Sequence, residues 1–304
     1  MALWSIDPAT GRVAPGYRTD EEQVDAFRVL NGELYVPGTD PRGGWSLGNF
    51  YRLERGAWVK HRTLPHALHT FDLAWHRGRL FAAVGGGGRP GQATLLASAD
   101  RGRTWSAATG EVRRMLVLFE HGGELYAAPR LRTDPHPAAG ELLRFDGARF
   151  VGTGIGGALL LPGLPDTAGR ILRPVAFRGA LVYVVAAGAI DWKPAALAAT
   201  RTLRDARSVA LPDPEAVPYD LLVRGPLLYV LAAAPAAAGG YTVHVYATGD
   251  LRRWRELFRF SAPTFARSFE ESGGDFFFGL GSTYRAPSPA AGAILRVRRA
   301  SYAR

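Results

Sequence analysis

Short apolar segments separated by glycine turns recur along the whole chain. Each copy has an apolar segment, a turn with one or two glycines, and a second segment rich in Leu, Tyr or Phe, as in residues 27–36 and 73–82. Short runs bounded by such turns indicate antiparallel β-hairpins. No capped segment with helical periodicity exceeds two turns. The pattern therefore predicts an all-β protein.

The hairpins repeat at nearly constant intervals. With one apolar marker taken from each copy, the successive intervals are 46, 45, 56, 46 and 49 residues. The markers are Leu34, Leu80, Leu125, Leu181, Leu227 and Phe276. A second hairpin follows within a unit, as at residues 50–59 and at 142–151, where Asp146-Gly147 is a strong hairpin signal. Six units of this length predict a six-bladed β-propeller of four-stranded antiparallel blades.

The repeat assigns the whole chain, residues 1–304, to a single propeller domain. The blades are predicted at roughly 20–65, 66–110, 111–155, 165–212, 215–262 and 263–304, preceded by an N-terminal strand within 1–19. The last unit ends at its third strand, 293–298. A strand at 3–6 or at 12–14 is therefore expected to complete it, so that pairing of the N- and C-terminal strands closes the ring and removes exposed sheet edges.

Composition narrows the classes of function. The 37 Gly and 21 Pro supply turns, while 47% hydrophobic and 21% charged residues are typical of a globular protein. Because there is no Cys, disulfide scaffolds, thiol nucleophiles and Cys-ligated zinc are excluded. The chain begins without a basic and apolar leader, and its longest weakly polar stretch, 226–241, is too short to span a bilayer. We expect no membrane association, and a cytoplasmic protein or a mature secreted form.

The net charge of +10 raises the question of nucleic-acid binding. Only Lys60 and Lys193 are lysines, so 35 of the 37 basic residues are arginine. Together with abundant Ala and Gly, this usage suggests a bacterial, GC-rich genome. The arginines are scattered, whereas a surface that follows phosphates shows a clustered basic stripe. Nucleic acid is therefore not an expected partner.

One short motif occurs in full, Ser-x-Asp-x-Gly-x-Thr-Trp. Its defined positions are Ser98, Asp100, Gly102, Thr104 and Trp105. The Asp can accept backbone N–H bonds, the Gly can adopt a positive φ, and the Trp can pack between neighbouring sheets. The motif resembles the Asp box of sialidase-like β-propellers, also called the bacterial neuraminidase (BNR) repeat. Degenerate copies lie at 146–150 and 248–254.

The resemblance implies a propeller fold and a structural role for the Asp box on the third-to-fourth-strand hairpin. Sialidases bind the substrate carboxylate with three arginines, the first of which lies in a Phe/Tyr-Arg-Ile-Pro segment. The nearest segment here, residues 27–30, reads Phe-Arg-Val-Leu. The resemblance therefore implies the fold rather than sialidase activity itself.

One charged residue stands near the start of each predicted first strand. These residues are Asp25, Asp72, Arg114, Arg173, Asp220 and Arg267. First strands line the channel of a propeller, so the six are expected at one rim, where ligands bind. They form either a charge-balanced ring that pairs with itself or a polar pocket. In a pocket, the three arginines would hold an anionic or hydroxylated ligand by forked hydrogen bonds.

The pocket interpretation assigns further roles. Asp72 and Asp220 would form the acid/base pair that glycoside hydrolysis requires. Tyr219 and Tyr284 are candidate phenol nucleophiles or stacking faces, and Trp192 lies in a predicted rim loop. The predicted catalytic set is thus Asp72, Asp220 and Tyr219, and the other ligand-binding residues are Asp25, Arg114, Arg173, Arg267, Tyr284 and Trp192.

Two histidines raise the question of a metal. His66 and His69 precede a predicted first strand, and Asp72 follows closely. Two imidazoles and a carboxylate can ligate a divalent metal, although solvated loop histidines are the more common arrangement. No other cofactor is expected.

Two functions are consistent with these features. The first is a monomeric propeller that binds a glycan or another polar or anionic small ligand at the channel mouth, with glycoside hydrolase or lyase chemistry as an extension. The alternative is a non-catalytic propeller whose rim loops form a platform for a protein partner.

Overall fold

The computed structural model describes residues 2–21, 24, 26–38, 46–85, 93–110, 113–133, 140–164, 168–188, 193–282 and 287–302. These residues are mostly β-strand, which confirms the predicted all-β class; a four-residue helix α1 (Gly157–Leu160) and one 3-10 turn are the exceptions among them. No helix in this part of the chain is long and apolar enough to cross a bilayer. The chain divides into two compact units, Met1–Arg130 with Gly140–Gly154, and Leu131–Ala139 with Ile155–Arg304.

The first unit contains a two-stranded hairpin and three antiparallel four-stranded sheets. The hairpin consists of β1 (Ala2–Ile6) and β2 (Val13–Arg18). Sheet 1 consists of β3 (Arg28–Leu30), β4 (Glu33–Pro37), β5 (Leu47–Glu54) and β6 (Ala57–Pro65). Sheet 2 consists of β7 (His69–His76), β8 (Arg79–Gly85), β9 (Leu95–Ser98) and β10 (Ser106–Ala107). Sheet 3 consists of β11 (Met115–His121), β12 (Glu124–Pro129), β14 (Glu141–Phe145) and β15 (Phe150–Gly156), the last two residues of which are assigned to the second unit.

The second unit contains a five-stranded, a four-stranded and a three-stranded sheet. Sheet 4 consists of β13 (Leu131–Arg132), β16 (Ala168–Phe177), β17 (Ala180–Ala187), β18 (Lys193–Thr200) and β19 (Arg207–Val209). Sheet 5 consists of β20 (Val217–Arg224), β21 (Leu227–Pro235), β22 (Tyr241–Thr248) and β23 (Trp254–Ala262). Sheet 6 consists of β24 (Ala266–Ser272), β25 (Asp275–Leu280) and β26 (Ile294–Val297).

The N-terminal strands differ from the expectation of ring closure. Both candidate segments are strands, but β1 pairs with β2, and sheet 6 has three strands among the described residues. The local cause is a capped turn, in which the Asp7 carboxylate accepts hydrogen bonds from the backbone N–H of Ala9 (2.9 Å) and Thr10 (3.3 Å). The Gly11 N–H donates to the Asp7 carbonyl at 2.7 Å. This turn folds the two strands onto each other.

The glycine turns of the repeat are two-residue hairpin connections. In sheet 2, Arg77 and Gly78 join β7 to β8 with φ of 47° and 78°. Positive φ at both central positions matches the right-handed twist of the flanking strands. The first two strands of each sheet are thereby held in register, and the middle strands are the most buried; β8, for example, is buried from Leu80 to Gly85.

Apolar side chains of adjacent sheets interdigitate within each unit. In the first unit, Phe81 of sheet 2 packs with Phe145 and Phe150 of sheet 3. In the second unit, Phe276 and Phe278 of sheet 6 pack with Leu231 of sheet 5. Neighbouring sheets therefore share a core within each unit.

In five of the six sheets, the strand that leads into the first glycine hairpin is interrupted by a register shift. The shifts are one residue wide near the start of β7 (Thr70/Asp72), β11 (Met115/Val117), β20 (Pro218/Asp220) and β24 (Ala266/Ser268), and two residues wide in the middle of β16 (Leu172/Val175). A bulge leaves a residue unpaired and redirects the side chains beside it. Of the residues predicted for the site, Tyr219, Arg173 and Arg267 lie in such bulges, and Asp72 and Asp220 directly follow one.

Candidate functional site

The segment from Ser98 to Trp105 is a tightly bonded turn between β9 and β10. Asp100 accepts hydrogen bonds from the backbone N–H of Arg103 (3.0 Å) and Thr104 (2.9 Å) and from the Thr104 hydroxyl (2.6 Å). The Ser98 hydroxyl donates to the same carboxylate at 2.7 Å. These donors, the Thr104 hydroxyl first, hold the pKa of Asp100 well below its usual range. The carboxylate is thus occupied by its own turn.

Trp105 and Gly102 dock this turn on sheet 1. The Trp105 indole N–H donates to the Thr63 hydroxyl at 3.0 Å, and its ring meets Phe50 edge-on with centroids 6.1 Å apart. Gly102 has a φ of 86°, and a Cβ added there would overlap the Phe50 ring, lying 2.8 Å from its Cε1. The motif therefore joins sheets 1 and 2.

Three other turns between third and fourth strands repeat this capping. Asp146 and Asp250 each accept backbone N–H bonds from residues two and three positions later, at 2.8–2.9 Å. Asp205 caps a turn that the sequence did not indicate, accepting bonds from the Thr200 (2.6 Å) and Thr202 (2.9 Å) hydroxyls. In that turn the Asp follows the two Thr residues by five and three positions. A search for Ser or Thr with Asp two positions later therefore does not find it.

Asp72 is enclosed by three strands of the first unit. Both of its oxygens accept hydrogen bonds from the Arg28 guanidinium of β3, at 2.8 and 2.9 Å. Backbone N–H groups of Leu73 and of Leu118 in β11 donate to it at 2.9 Å each. The residue is only 1% exposed. Asp72 therefore bridges the first strands of sheets 1, 2 and 3.

Asp220 occupies the equivalent position in the second unit but is held less tightly. Each aspartate directly follows the bulge of its strand, ahead of the hairpin turn. Asp220 accepts bonds from the N–H of Leu221 (3.0 Å) and of Phe269 in β24 (3.2 Å). The Arg173 Nε lies 3.5 Å from its Oδ1, and the Asp220 side chain is 15% exposed. Burial raises the pKa of Asp220, although Arg173 opposes the shift.

The three predicted arginines have different environments. Arg114 is exposed, and its guanidinium lies over the Phe71 ring, 5.2 Å from the centroid. Arg173 has a φ of 50° within the β16 bulge, which is unusual for a residue other than glycine. Arg267 is exposed in the β24 bulge, two residues before the Phe269 N–H that binds Asp220. Arg173 and the strand that carries Arg267 thus both contribute to the surroundings of one carboxylate.

Tyr219, another predicted site residue, packs in an aromatic cluster of the second unit. Its ring stacks on Phe265 with centroids 4.6 Å apart, and Tyr241 meets Phe265 edge-on. Burial raises the pKa of Tyr219 to about 12. The phenol is therefore protonated near neutral pH, which suits hydrogen bonding rather than nucleophilic attack.

The remaining predictions concern the histidines and three loop residues. His66 is exposed with a φ of 54°, and the His69 ring stacks on Phe71 at 5.4 Å. Asp72, the third ligand expected, is bonded to Arg28. Over the described ranges, no three His, Asp or Glu side chains are placed to hold a metal ion. Asp25, Trp192 and Tyr284 lie outside the described residues.

A buried acid in the first unit was not indicated by the sequence. Glu21 is 1% exposed and accepts hydrogen bonds from the Tyr51 hydroxyl (2.8 Å) and from the Asn49 amide. Burial raises its pKa. Glu21 belongs to the acidic run 20–22, which is typical of a solvated surface segment. The local sequence therefore does not indicate that Glu21 is buried.

Comparisons with known proteins identify the fold. No protein-family model and no curated protein sequence matches this chain. Among solved structures, a catalytically inactive variant of virginiamycin B lyase from Staphylococcus aureus, with quinupristin, is 11% identical, with a TM-score of 0.57 over 92% of this chain and 84% of that one. A chain of the mitotic checkpoint complex is also 11% identical, with a TM-score of 0.56 over 92% and 80% of the two chains.

A third solved structure is named as a propeller. The β-propeller domain of the Trilobed protease from Pyrococcus furiosus, described as having an open velcro topology, is 10% identical with a TM-score of 0.51. The match covers 84% of this chain and 75% of that one. At these identities the likeness concerns the fold alone, and that fold is a β-propeller.

Proposed function

We propose that this protein is a six-bladed β-propeller that binds an anionic, hydroxylated ligand of the acidic-sugar class beside Asp220. The observation that carries the proposal is the contrast between two equivalent aspartates. Asp72 is sealed by Arg28 and by backbone N–H groups, whereas Asp220 keeps an exposed fraction and a longer contact with its arginine. Asp72 therefore stabilises the fold, whereas Asp220 is able to contact a ligand.

The groups around Asp220 favour an anion that also carries hydroxyl groups. Arg173 contacts Asp220 directly, and Arg267 lies on β24, the strand whose Phe269 N–H binds Asp220. Guanidinium groups suit carboxylates, which they can bind through two parallel hydrogen bonds. A carboxyl group with a raised pKa can accept from or donate to a sugar hydroxyl as its protonation changes. The positive φ of Arg173 adds support, since backbone strain of this kind concentrates at binding sites.

The same geometry favours binding over glycoside hydrolysis. Hydrolysis requires two carboxyl groups on either side of the scissile bond. The Asp72 carboxylate is already hydrogen-bonded to Arg28. Glu270 carries a charge that raises the pKa of Asp220, but its own carboxylate accepts a hydrogen bond from Arg224 at 2.6 Å. Neither is arranged as the second catalytic carboxylate. Lyase chemistry is the catalytic alternative, because one of the similar structures is named as a lyase. A screen for turnover of candidate substrates tests this alternative.

A glycan array probed with the labelled protein tests the proposal. We expect retention on acidic glycans and not on their neutral counterparts. Substitution Arg267→Ala is expected to weaken binding about tenfold or more, because a charge-assisted hydrogen bond contributes about 1.5–3 kcal/mol. Arg255→Ala, which removes an exposed arginine from β23, is the matched control. Equal retention by both variants, or no retention of any acidic glycan by the wild type, would contradict the proposal.

A protein-binding platform is the second candidate, and a separate observation favours it. Phe27 beside β3, Val29 on β3 and Trp4 on β1 are 53%, 74% and 58% exposed. Counted from the hairpin turn, Phe27 corresponds to positions that are buried in four other sheets, namely Leu73, Leu118, Leu221 and Phe269. Affinity capture with wild type and Phe27→Ser would support this function only if a partner is lost from the variant. Capture of the same proteins by both would count against it.

A further inference from the structure

Sheet 6 has one strand fewer than sheet 5 among the described residues. It consists of β24, β25 and β26, whereas sheet 5 continues to a fourth strand, β23. After β26 the chain forms a 3-10 turn at Arg299–Ser301. The Tyr302 hydroxyl then donates to the carbonyl of Gly274, in the turn between β24 and β25. The segment that follows β26 therefore does not supply a fourth strand.

The outer edge of β26 carries backbone groups that no described strand satisfies. The Leu280 N–H of β25 donates to the Ala293 carbonyl at 2.9 Å, directly before β26. In an antiparallel pair, alternate residues direct both of their backbone groups to the same neighbouring strand. Because Ala293 faces β25, Ile294 and Arg296 direct their N–H and C=O groups away from it. In the part of the chain that the structure describes, β26 pairs with β25 alone.

Apolar side chains border this edge. Phe260 of β23 and Leu295 of β26 belong to the core that sheets 5 and 6 share, but both are only partly buried. The Tyr302 ring packs on Phe258 of β23 with centroids 4.8 Å apart, and it covers one end of this surface. Ile294, at the other end of β26, is 49% exposed. A strand added beside β26 would bury more of these side chains.

The other face of the edge is basic. Arg296 projects to the side opposite Leu295, because successive side chains of a strand alternate between its faces. Its guanidinium donates to Asp275 at 2.8 Å and lies over the Phe277 ring, 5.4 Å from the centroid. Arg298, two residues further on, is exposed and adds a second guanidinium group at the end of the strand. The edge therefore attracts a segment with negative charge.

We propose that the edge of β26 binds an extended acidic segment of a partner protein, which adds to sheet 6 as its fourth strand. The outward N–H and C=O groups of Ile294 and Arg296 pair with the backbone of the added segment. Apolar side chains at alternate positions of that segment cover Phe260 and Leu295. Asp or Glu at the positions between them faces Arg296 and Arg298. In this mode of recognition the main chain provides affinity and the alternate side chains provide specificity.

The charge of the edge favours a partner protein over a second copy of this chain. The strands that were expected to complete the last sheet, β1 and β2, contain no Asp or Glu and pair with each other. Pairing of two β26 edges would bring their arginines together. Like charges opposite each other destabilise a sheet. An acidic strand has neither disadvantage.

Fluorescence anisotropy with labelled peptides tests the edge. The probe is a short blocked peptide of alternating Val and Glu, and a peptide of alternating Val and Lys is the reference. We expect the Glu peptide to bind about tenfold more tightly than the Lys peptide. Ile294→Pro removes an outward N–H at the first residue of a strand, where proline is tolerated, and should weaken binding about tenfold. Ile294→Val keeps the N–H and should bind as wild type does. No binding of the Glu peptide by wild type, or equal binding by Ile294→Pro, would overturn the proposal.

A second pair of variants applies if Ile294→Pro does not fold. Arg298→Glu reverses an exposed charge beside the edge, and we expect it to weaken binding of the Glu peptide about fivefold. Arg207→Glu, on β19 of sheet 4, changes the net charge equally and should leave the affinity unchanged. Equal effects of the two reversals would contradict a local site. Light scattering tests for a second copy, and a dimer that the Glu peptide dissociates would assign the edge to self-association and overturn the proposal.

Discussion

The Asp72 carboxylate accepts hydrogen bonds from the Arg28 guanidinium through both of its oxygens, at 2.8 and 2.9 Å. Arg28 lies on sheet 1 and Asp72 on sheet 2, and the same carboxylate also accepts the Leu118 N–H of sheet 3. One side chain thus joins three sheets of the first unit. In the second unit, Asp220 likewise joins sheets 4, 5 and 6 through Arg173 and Phe269, but with a longer arginine contact.

Asp72→Asn is expected to destabilise the first unit. The substitution removes a buried charge from Arg28 and replaces an acceptor with an amide that cannot satisfy every donor around it. Breaking a buried ion pair costs about 3–5 kcal/mol, and the partial exposure of Arg28 places the effect near the lower end, at about 3 kcal/mol. Urea denaturation measures it. Because Asp220 is held more loosely, Asp220→Asn should cost clearly less, and equal costs would contradict this difference between the sites.

Gly102→Ala is expected to disturb the contact between sheets 1 and 2. The new Cβ would overlap the Phe50 ring, at a φ of 86° that already disfavours side chains. We expect a loss of about 2 kcal/mol or more, since strain and overpacking add. Gly78→Ala is the matched control, because its φ is 78° but no atom lies within 4 Å of the added Cβ. It should cost about 1 kcal/mol. Equal thermal shifts in both variants would show that packing on Phe50 is unimportant.

The aspartates of the capped turns are expected to govern acid unfolding. Hydrogen bonds from hydroxyl and backbone donors hold the pKa of Asp100 and of Asp205 well below the ordinary value of 3.8. An acid with a lowered pKa stabilises the fold above its ordinary value, and that contribution is lost as the pH falls through the native pKa. Asp205→Asn should therefore give a shallower loss of stability below about pH 4 than wild type. Stability is measured by urea denaturation at a series of pH values. If wild type and Asp205→Asn lose stability equally below about pH 4, this role is refuted.

The repeat and the turns were predictable because they depend on local sequence. Glycine at positive φ and apolar runs of fixed length are visible in a single hairpin, and their spacing marks the sheets. The prediction that an N-terminal strand pairs with the last sheet differs from the structure, in which β1 pairs with β2. Two short N-terminal strands were candidates for the last sheet, but the Asp7 turn folds them onto each other.

The site was less accessible to sequence reasoning because its bonds join distant residues. Asp72 could be selected as charged and near a strand start, but its binding to Arg28, 44 positions earlier, depends on how two sheets pack. Asp72, Arg173, Asp220 and Arg267 do lie in the strands that lead into the first hairpins of their sheets, in or directly after the bulges. Glu21 was missed because burial depends on the tertiary fold, not on the acidic run that contains it.

The central claim, that an acidic hydroxylated ligand binds beside Asp220, is tested most directly by isothermal titration with a uronic-acid oligosaccharide. The neutral oligosaccharide of the same length serves as the reference ligand. We predict heat of binding for the acidic ligand alone, about tenfold weaker affinity in Arg267→Ala, unchanged affinity in Arg255→Ala, and no cleavage of the ligand. Binding that ignores the ligand's charge, or an affinity that Arg267→Ala leaves unchanged, would contradict it.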